Sequence, residues 1–220
     1  MEELEKLNRF WSPYDSRNLL QRHVYKRRED AIDAGNKTRD KISTVEALEK
    51  RREFVRRHFM ASIGCDFDYP APVSSSVVGS AAYAGYRVEN ILICPEENVY
   101  ITANMYIPDG VCQKRGAVLF VCGHAVEGKH YKEYIKVCRY LVSAGLVVLA
   151  IDPTGQGERL NFYDAATKEK LIPPCTADHD HAGLRGLMLG RNIAYYFLRD
   201  AMCAVSYLIS RPEAAPEKIG

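Results

Sequence analysis

Two stretches of this sequence have the same layout. Gly116-Ala-Val-Leu-Phe-Val-Cys122 runs into Gly123-His124-Ala-Val-Glu127-Gly128-Lys129-His130, and Leu146-Val-Val-Leu-Ala-Ile151 runs into Asp152-Pro-Thr-Gly155-Gln-Gly157. In each, an uninterrupted apolar run of strand length gives way to a glycine-bearing polar loop. Such runs are expected of strands buried on both faces, where period-two alternation has no reason to appear. Between them, Tyr131 to Ala144 places Tyr134, Val137, Cys138 and Leu141 on one helical face, and Gly145 follows as a C-terminal cap. Strand, loop, helix, strand is the unit that sets two strands parallel in one sheet. The fold class is α/β. In open sheets of this kind ligands bind at the strand C-terminal ends, so the two glycine loops mark the candidate site.

Upstream, Tyr86–Ile93 and Val99–Ile107 are β-rich runs separated by Pro95-Glu-Glu-Asn98, which predicts a hairpin. Asp66 to Gly85 is rich in Pro, Ser, Ala and Gly without periodicity and reads as a connecting segment. Before it the chain reads as helical and charged. Ser43-Thr-Val-Glu46 is a capping-box pattern opening a helix that stops at Gly64, with Val45, Leu48, Val55 and Phe59 at helical spacing. The basic cluster Lys50-Arg51-Arg52…Arg56-Arg57 is interleaved with Glu46, Glu49 and Glu53 and reads as a solvated face instead of a nucleic-acid patch. Phe10-Trp11-Ser-Pro13-Tyr14 is expected to dock an N-terminal arm. Downstream, Asp152 to Ala182 reads as a long irregular loop, and Asn192–Ser210 as a helix whose apolar face holds Ile193, Phe197, Met202, Ala204, Val205, Leu208 and Ile209. Arg211-Pro212 halts that helix, and Glu217-Lys-Ile219-Gly220 opens a further strand.

Composition narrows the function classes. A formal charge of +2 from 30 basic and 28 acidic residues does not point to nucleic acid or an anionic membrane surface. The acidic start Met1-Glu-Glu lacks the pattern of a secretory signal and no run reaches membrane-span length, so a soluble, cytoplasmic protein is expected. The seven cysteines (65, 94, 112, 122, 138, 175 and 203) are scattered, without C-x-x-C spacing, and read as reduced thiols.

The order of elements resembles the α/β-hydrolase superfamily, and the wording is similar to its acetyl-xylan-esterase-like bacterial branch. Four features carry the resemblance: the helical N-terminal extension, the Gly123-His124-x-x-x-Gly128-Lys129 loop, the Asp152-x-x-Gly155-x-Gly157 loop, and the tail Asp200…Arg211-Pro-Glu213…Lys218-Ile-Gly220. The resemblance implies a helical extension over 1–64, a connection over 65–85 and, over 86–220, an incomplete three-layer hydrolase domain with a mostly parallel sheet. It also implies that the His124 backbone N–H serves an oxyanion hole, its imidazole being left to line the pocket. Gly123, Gly128, Gly155 and Gly157 would shape the pocket loops, and Asp152 would organise the second loop without being the triad acid. The implied chemistry is acyl transfer on a small-molecule or carbohydrate ester, with no cofactor.

The nucleophile elbow G-x-S-x-G occurs nowhere in the 220 residues, and in the family the acid and histidine follow the serine. None of the triad is therefore present, and the chain alone is not expected to be a catalyst. Ser143 and Ser206 fall in predicted helices, and Cys122 ends a buried strand, so none is read as a substitute. Asp178-His179-Asp180-His181 has two imidazoles but no third ligand at a fixed spacing, and is read as loop covering the pocket instead of as a metal site. The preferred function is the N-terminal portion of a serine carboxylesterase. A non-catalytic binding or scaffold protein derived from the fold is the alternative, and a peptidase or thioesterase the second. In the superfamily's strand order, 116–122 would be left as an open apolar edge, through which self-association is expected.

Overall fold

A computed structural model describes residues 18–65, 73–110 and 113–220. The aromatic arm at 10–14 and Cys112 lie outside them. The chain divides into two compact units, Met1–Arg57 and His58–Gly220.

In the first unit, helix α1 spans Leu19–Arg39, and helix α2, Val45–Ser62, begins there. Thr44, one residue after the expected cap, accepts the Ala47 N–H on its Oγ1 and starts α2. Gly64, at φ +73°, follows its end. The interleaved charges pair on the surface, Glu46 with Lys50 at 2.6 Å and Glu49 with Arg52 at 2.8 Å. The apolar stripe of α2 is not buried: Val45, Leu48, Val55 and Phe59 are all exposed.

The second unit is built on a six-stranded sheet of order β1-β2-β3-β5-β4-β8. Its strands are β1 (Ser74–Tyr83), β2 (Tyr86–Glu96), β3 (Val99–Pro108), β4 (Arg115–Val121), β5 (Val147–Ile151) and β8 (Ala214–Ile219), while Tyr163–Asp164 (β6) and Glu169–Lys170 (β7) form a separate two-stranded ribbon. β2 and β3 are the expected hairpin, turning through Asn98 in the left-handed region. β4 and β5 pair in parallel from Ala117↔Val147 to Val121↔Ile151. Every residue of β5 is buried, and its side chains divide between two cores. Val147, Leu149 and Ile151 pack with Cys203, Ala204, Tyr207 and Leu208 of helix α5 (Ile193–Ser210), whereas Val148 and Ala150 pack with Cys138 and Val142 of helix α3 (Lys132–Ser143). Helix, sheet and helix form three layers, the arrangement that two-faced strands require. In α3, Val142 takes the buried place expected of Val137, which is exposed.

Three elements depart from the sequence reading. Ser74–Tyr83, expected to be irregular, is an antiparallel strand on β2; nearly all its residues are exposed, so the alternation that betrays a half-buried strand is missing. The Asp152–Ala182 stretch holds the β6-β7 ribbon and helix α4 (Thr176–Leu187), so Asp178–His181 is helical. Third, residues 116–122 are not an open edge. β8 pairs with β4 in parallel from Arg115↔Ala214 to Ala117↔Ile219, and Leu119 N–H donates to the Gly220 carbonyl. The pairing stops short of Val121, which is 59% exposed, so β4 is less buried than its apolar run suggests.

Candidate active site

At the C-terminal ends of β4 and β5 the two glycine loops close around Asp152. This carboxylate is fully buried and accepts the Thr102 hydroxyl at 2.7 Å, the Lys129 N–H at 2.7 Å, the Lys129 ammonium at 2.5 Å and the Glu158 N–H at 3.3 Å. Lys129, itself 3% exposed, also pairs with Glu158. The chain turns tightly enough around this centre that a Cβ at Gly128 would lie 2.1 Å, and one at Gly157 2.4 Å, from Asp152 Oδ1; both positions have φ +57°. Asp152 thus joins the loop after β4 to the loop after β5, and the spacing of the glycines follows from its size.

The loop after β4 is pinned from beside it. Gln156, 1% exposed, donates from Nε2 to the carbonyls of Gly123 (2.9 Å) and Ala125 (2.6 Å), and Gly157 N–H donates to Val126 O at 3.0 Å. The His124 N–H between these anchors has no acceptor among the described residues. Gly123 abuts Tyr134, whose hydroxyl would lie 2.8 Å from a Cβ there. On the other side, α4 docks onto the loop after β5. Cys175 N–H donates to Gly155 O at 2.8 Å, and His179 Nε2 lies 2.8 Å from Thr154 O. Because a carbonyl only accepts, that ring nitrogen carries the proton, and His179 is the Nε2–H tautomer when neutral. Its ring lies against the His124 ring with centroids 5.2 Å apart and edge-on to Phe197 at 5.1 Å. Burial holds the His179 pKa below its ordinary value, and neighbouring His124 adds to that depression.

These groups line a mostly apolar cavity of about 240 Å³ walled by Val121, Cys122, Ile151, Pro153 and Phe197, with His124, Gln156 and His179 at its polar side. Asp200, inside α5, lies between it and a larger cleft of mixed lining, about 590 Å³, that includes Tyr100, Asn161, Arg185 and Tyr196. Arg159 fixes this boundary by donating to Asp200 (2.7 Å), Asp152 O (2.9 Å) and Tyr100 O (2.9 Å). The Cys122 thiol is pushed up to about 12, chiefly by burial and then by Asp152, so it stays protonated and is a poor nucleophile.

All six residues singled out from the sequence lie on the two loops, with Gly155 at φ +81° facing Asp178 and His179. Within Asp178–His181 the side chains serve different ends: Asp178 accepts from Asn161 and His179 turns inward, while Asp180 and His181 are exposed. No three His, Cys, Asp or Glu side chains among the described residues are grouped to hold a metal. Sequence reasoning missed Gln156 and Arg159 as site residues, read His179 only as part of a pocket-covering loop and named Asp200 only in the family-like tail, since each acts through a partner distant in the chain. No helix of the described residues is long and apolar enough to cross a membrane.

No protein-family model matches the sequence, and no curated protein matches it. Solved structures do. A candidate acetyl xylan esterase from Bacteroides fragilis superposes with a TM-score of 0.64 at 17% identity, over 79% of this chain and 46% of its own. A methylesterase gives 0.54 at 18% identity, over 86% and 38%. A glucuronoyl esterase from Solibacter usitatus gives 0.50 at 9% identity, over 81% and 53%. The chain spans about half the length of these structures or less. At such identities the likeness is one of fold: this chain has an α/β-hydrolase-type fold, like those esterases.

Proposed function

We propose that this chain is the N-terminal portion of a serine carboxylesterase acting on a small-molecule or carbohydrate ester, and that it supplies the oxyanion loop. The observation that carries the reading is the unpartnered His124 N–H on a loop held at the rim of a small apolar cavity, at the strand ends. In acyl transfer, negative charge develops on the carbonyl oxygen as a serine adds to it. A preorganised N–H aimed at that oxygen stabilises the transition state more than the ester, typically by about 3–4 kcal/mol per donor. The 240 Å³ cavity suits a small acyl group such as acetyl, and the larger cleft beyond Asp200, where Asn161 and Arg185 offer hydrogen-bond donors, suits the alcohol part. The serine, the acid and the histidine lie outside these 220 residues in this reading, so the chain alone is inactive and its cellular site is the cytoplasm.

The coding sequence beyond position 220 tests the proposal first. It should continue through a strand into G-x-S-x-G, and the complete product should hydrolyse p-nitrophenyl acetate and lose that activity to a sulfonyl fluoride. A stop directly after Gly220, or an inert complete product, would overturn it. The non-catalytic binding reading gains support from β8, which pairs with the first part of β4 and gives the main core of the described residues a strand on that side. A 220-residue gene product that folds, binds and does not hydrolyse would establish that alternative.

A further inference from the structure

We infer that Gln156 is the positioning residue that sets the direction of the His124 N–H. The inference rests on the oxyanion reading only for what that N–H is used for. The Gly123 carbonyl and the His124 N–H belong to one peptide group, and in a planar trans peptide they point in opposite directions. Holding the carbonyl therefore aims the N–H. Gln156 holds it at 2.9 Å, and with the same nitrogen holds the Ala125 carbonyl at 2.6 Å, so one side chain fixes the Gly123–His124 peptide and, one residue further on, the Ala125–Val126 peptide. An amide suits this task because its nitrogen has two protons and no acceptor, and can satisfy two carbonyls at once.

The clamp is itself anchored. Gln156 N–H donates to Pro153 O, Arg159 N–H returns to Gln156 O, and Gly157 N–H reaches Val126 O in the opposing loop. Behind it, α4 holds Gly155 O and Thr154 O through Cys175 and His179. A side chain 1% exposed between two such loops has few alternative rotamers that keep both bonds. In the motif Asp152-x-x-Gly155-Gln-Gly157, the glycines let the loop close around Asp152 and the glutamine carries the restraint across to His124.

The test uses the ¹⁵N-labelled 220-residue chain as wild type, Gln156→Leu and Gln156→Glu. Both variants keep the side-chain size and lose the two donors, and the glutamate also sets a carboxylate against two carbonyls. Residual dipolar couplings report the direction of each N–H. We expect the His124 coupling to change in both variants while those of β5 (Val147–Ile151) stay, and wild-type proportions of folded sheet to be retained in at least the leucine variant. Titration with sodium acetate should move the wild-type His124 amide, with affinity falling about tenfold or more in the variants, the loss of roughly 1.4 kcal/mol. An unchanged His124 coupling in a folded variant would overturn the clamp. A changed coupling with no acetate response in wild type would keep the clamp and sink the oxyanion role, so the two readings fail separately.

Discussion

Lys129 brings an ammonium into a place that leaves its side chain 2% exposed, beside a carboxylate that is wholly buried. Two such charges are tolerated together because each compensates the desolvation of the other, and Asp152 takes three further hydrogen bonds. Removing one partner is the costly change. Lys129→Met should destabilise the second unit by about 3–5 kcal/mol, the cost of leaving a buried carboxylate unpaired. Adding Asp152→Asn should recover part of that loss, because a neutral amide needs no counter-charge. Urea unfolding of the two single variants and the double variant would measure the coupling, and strict additivity would show that the pair does not interact as described. The sequence showed the Gly128-Lys129 and Asp152 motifs separately, but not that they meet. Their bond crosses between two loops, and nothing in local spacing announces the partner.

At the scale of elements, what left a local mark was legible, whether the buried strands or the capped and exposed helix α2, and two elements without such a mark were not. β5 and the capped α5 were readable, because an apolar run and an Asn192 cap that accepts the Ala194 N–H leave local marks. β1 hides because it is exposed, and α4 because its inward residues are Asp178 and His179 instead of aliphatic ones. That polar docking face has a consequence for pH. Burial depresses the pKa of His179 below 6.5, so the folded chain binds this proton less readily than the unfolded one. The stability that depends on neutral His179 is therefore complete above pH 6.5 and is lost as pH falls below it toward the depressed folded value. Thermal melts from pH 7.5 to 5 should show a falling Tm in wild type and a flatter profile in His179→Gln, whose amide can still donate to Thr154 O. Parallel profiles would show that His179 is not the group responsible.

For the molecule as a whole, the question is which edge of the sheet a second molecule could pair with. The run at 116–122 was expected to be that edge because the superfamily's strand order puts a later strand beside it, and the strand opening at Glu217 was not recognised as that neighbour. With β8 beside β4, the outer strands of the described sheet are β8 and β1, and they differ in chemistry. β8 carries Pro216, Glu217 and Lys218, a missing donor and two charges of the kind that discourage edge-to-edge pairing. β1 has neither proline nor charge over ten residues, and its Val77 and Val78 are exposed. Its only such interruption is the irregular register between Val77 and Gly79. Self-association of this chain should therefore proceed through β1. Sedimentation velocity over a concentration series is expected to show a reversible rise in mean mass that Val78→Lys suppresses, since a lysine on the edge must be desolvated before a second strand can pair. Lys218→Ala on the opposite edge should leave the rise unchanged. If wild type sediments as one monomeric species throughout, β1 is not used for pairing; if Lys218→Ala alone increases association, the open edge is β8, held back by its charges.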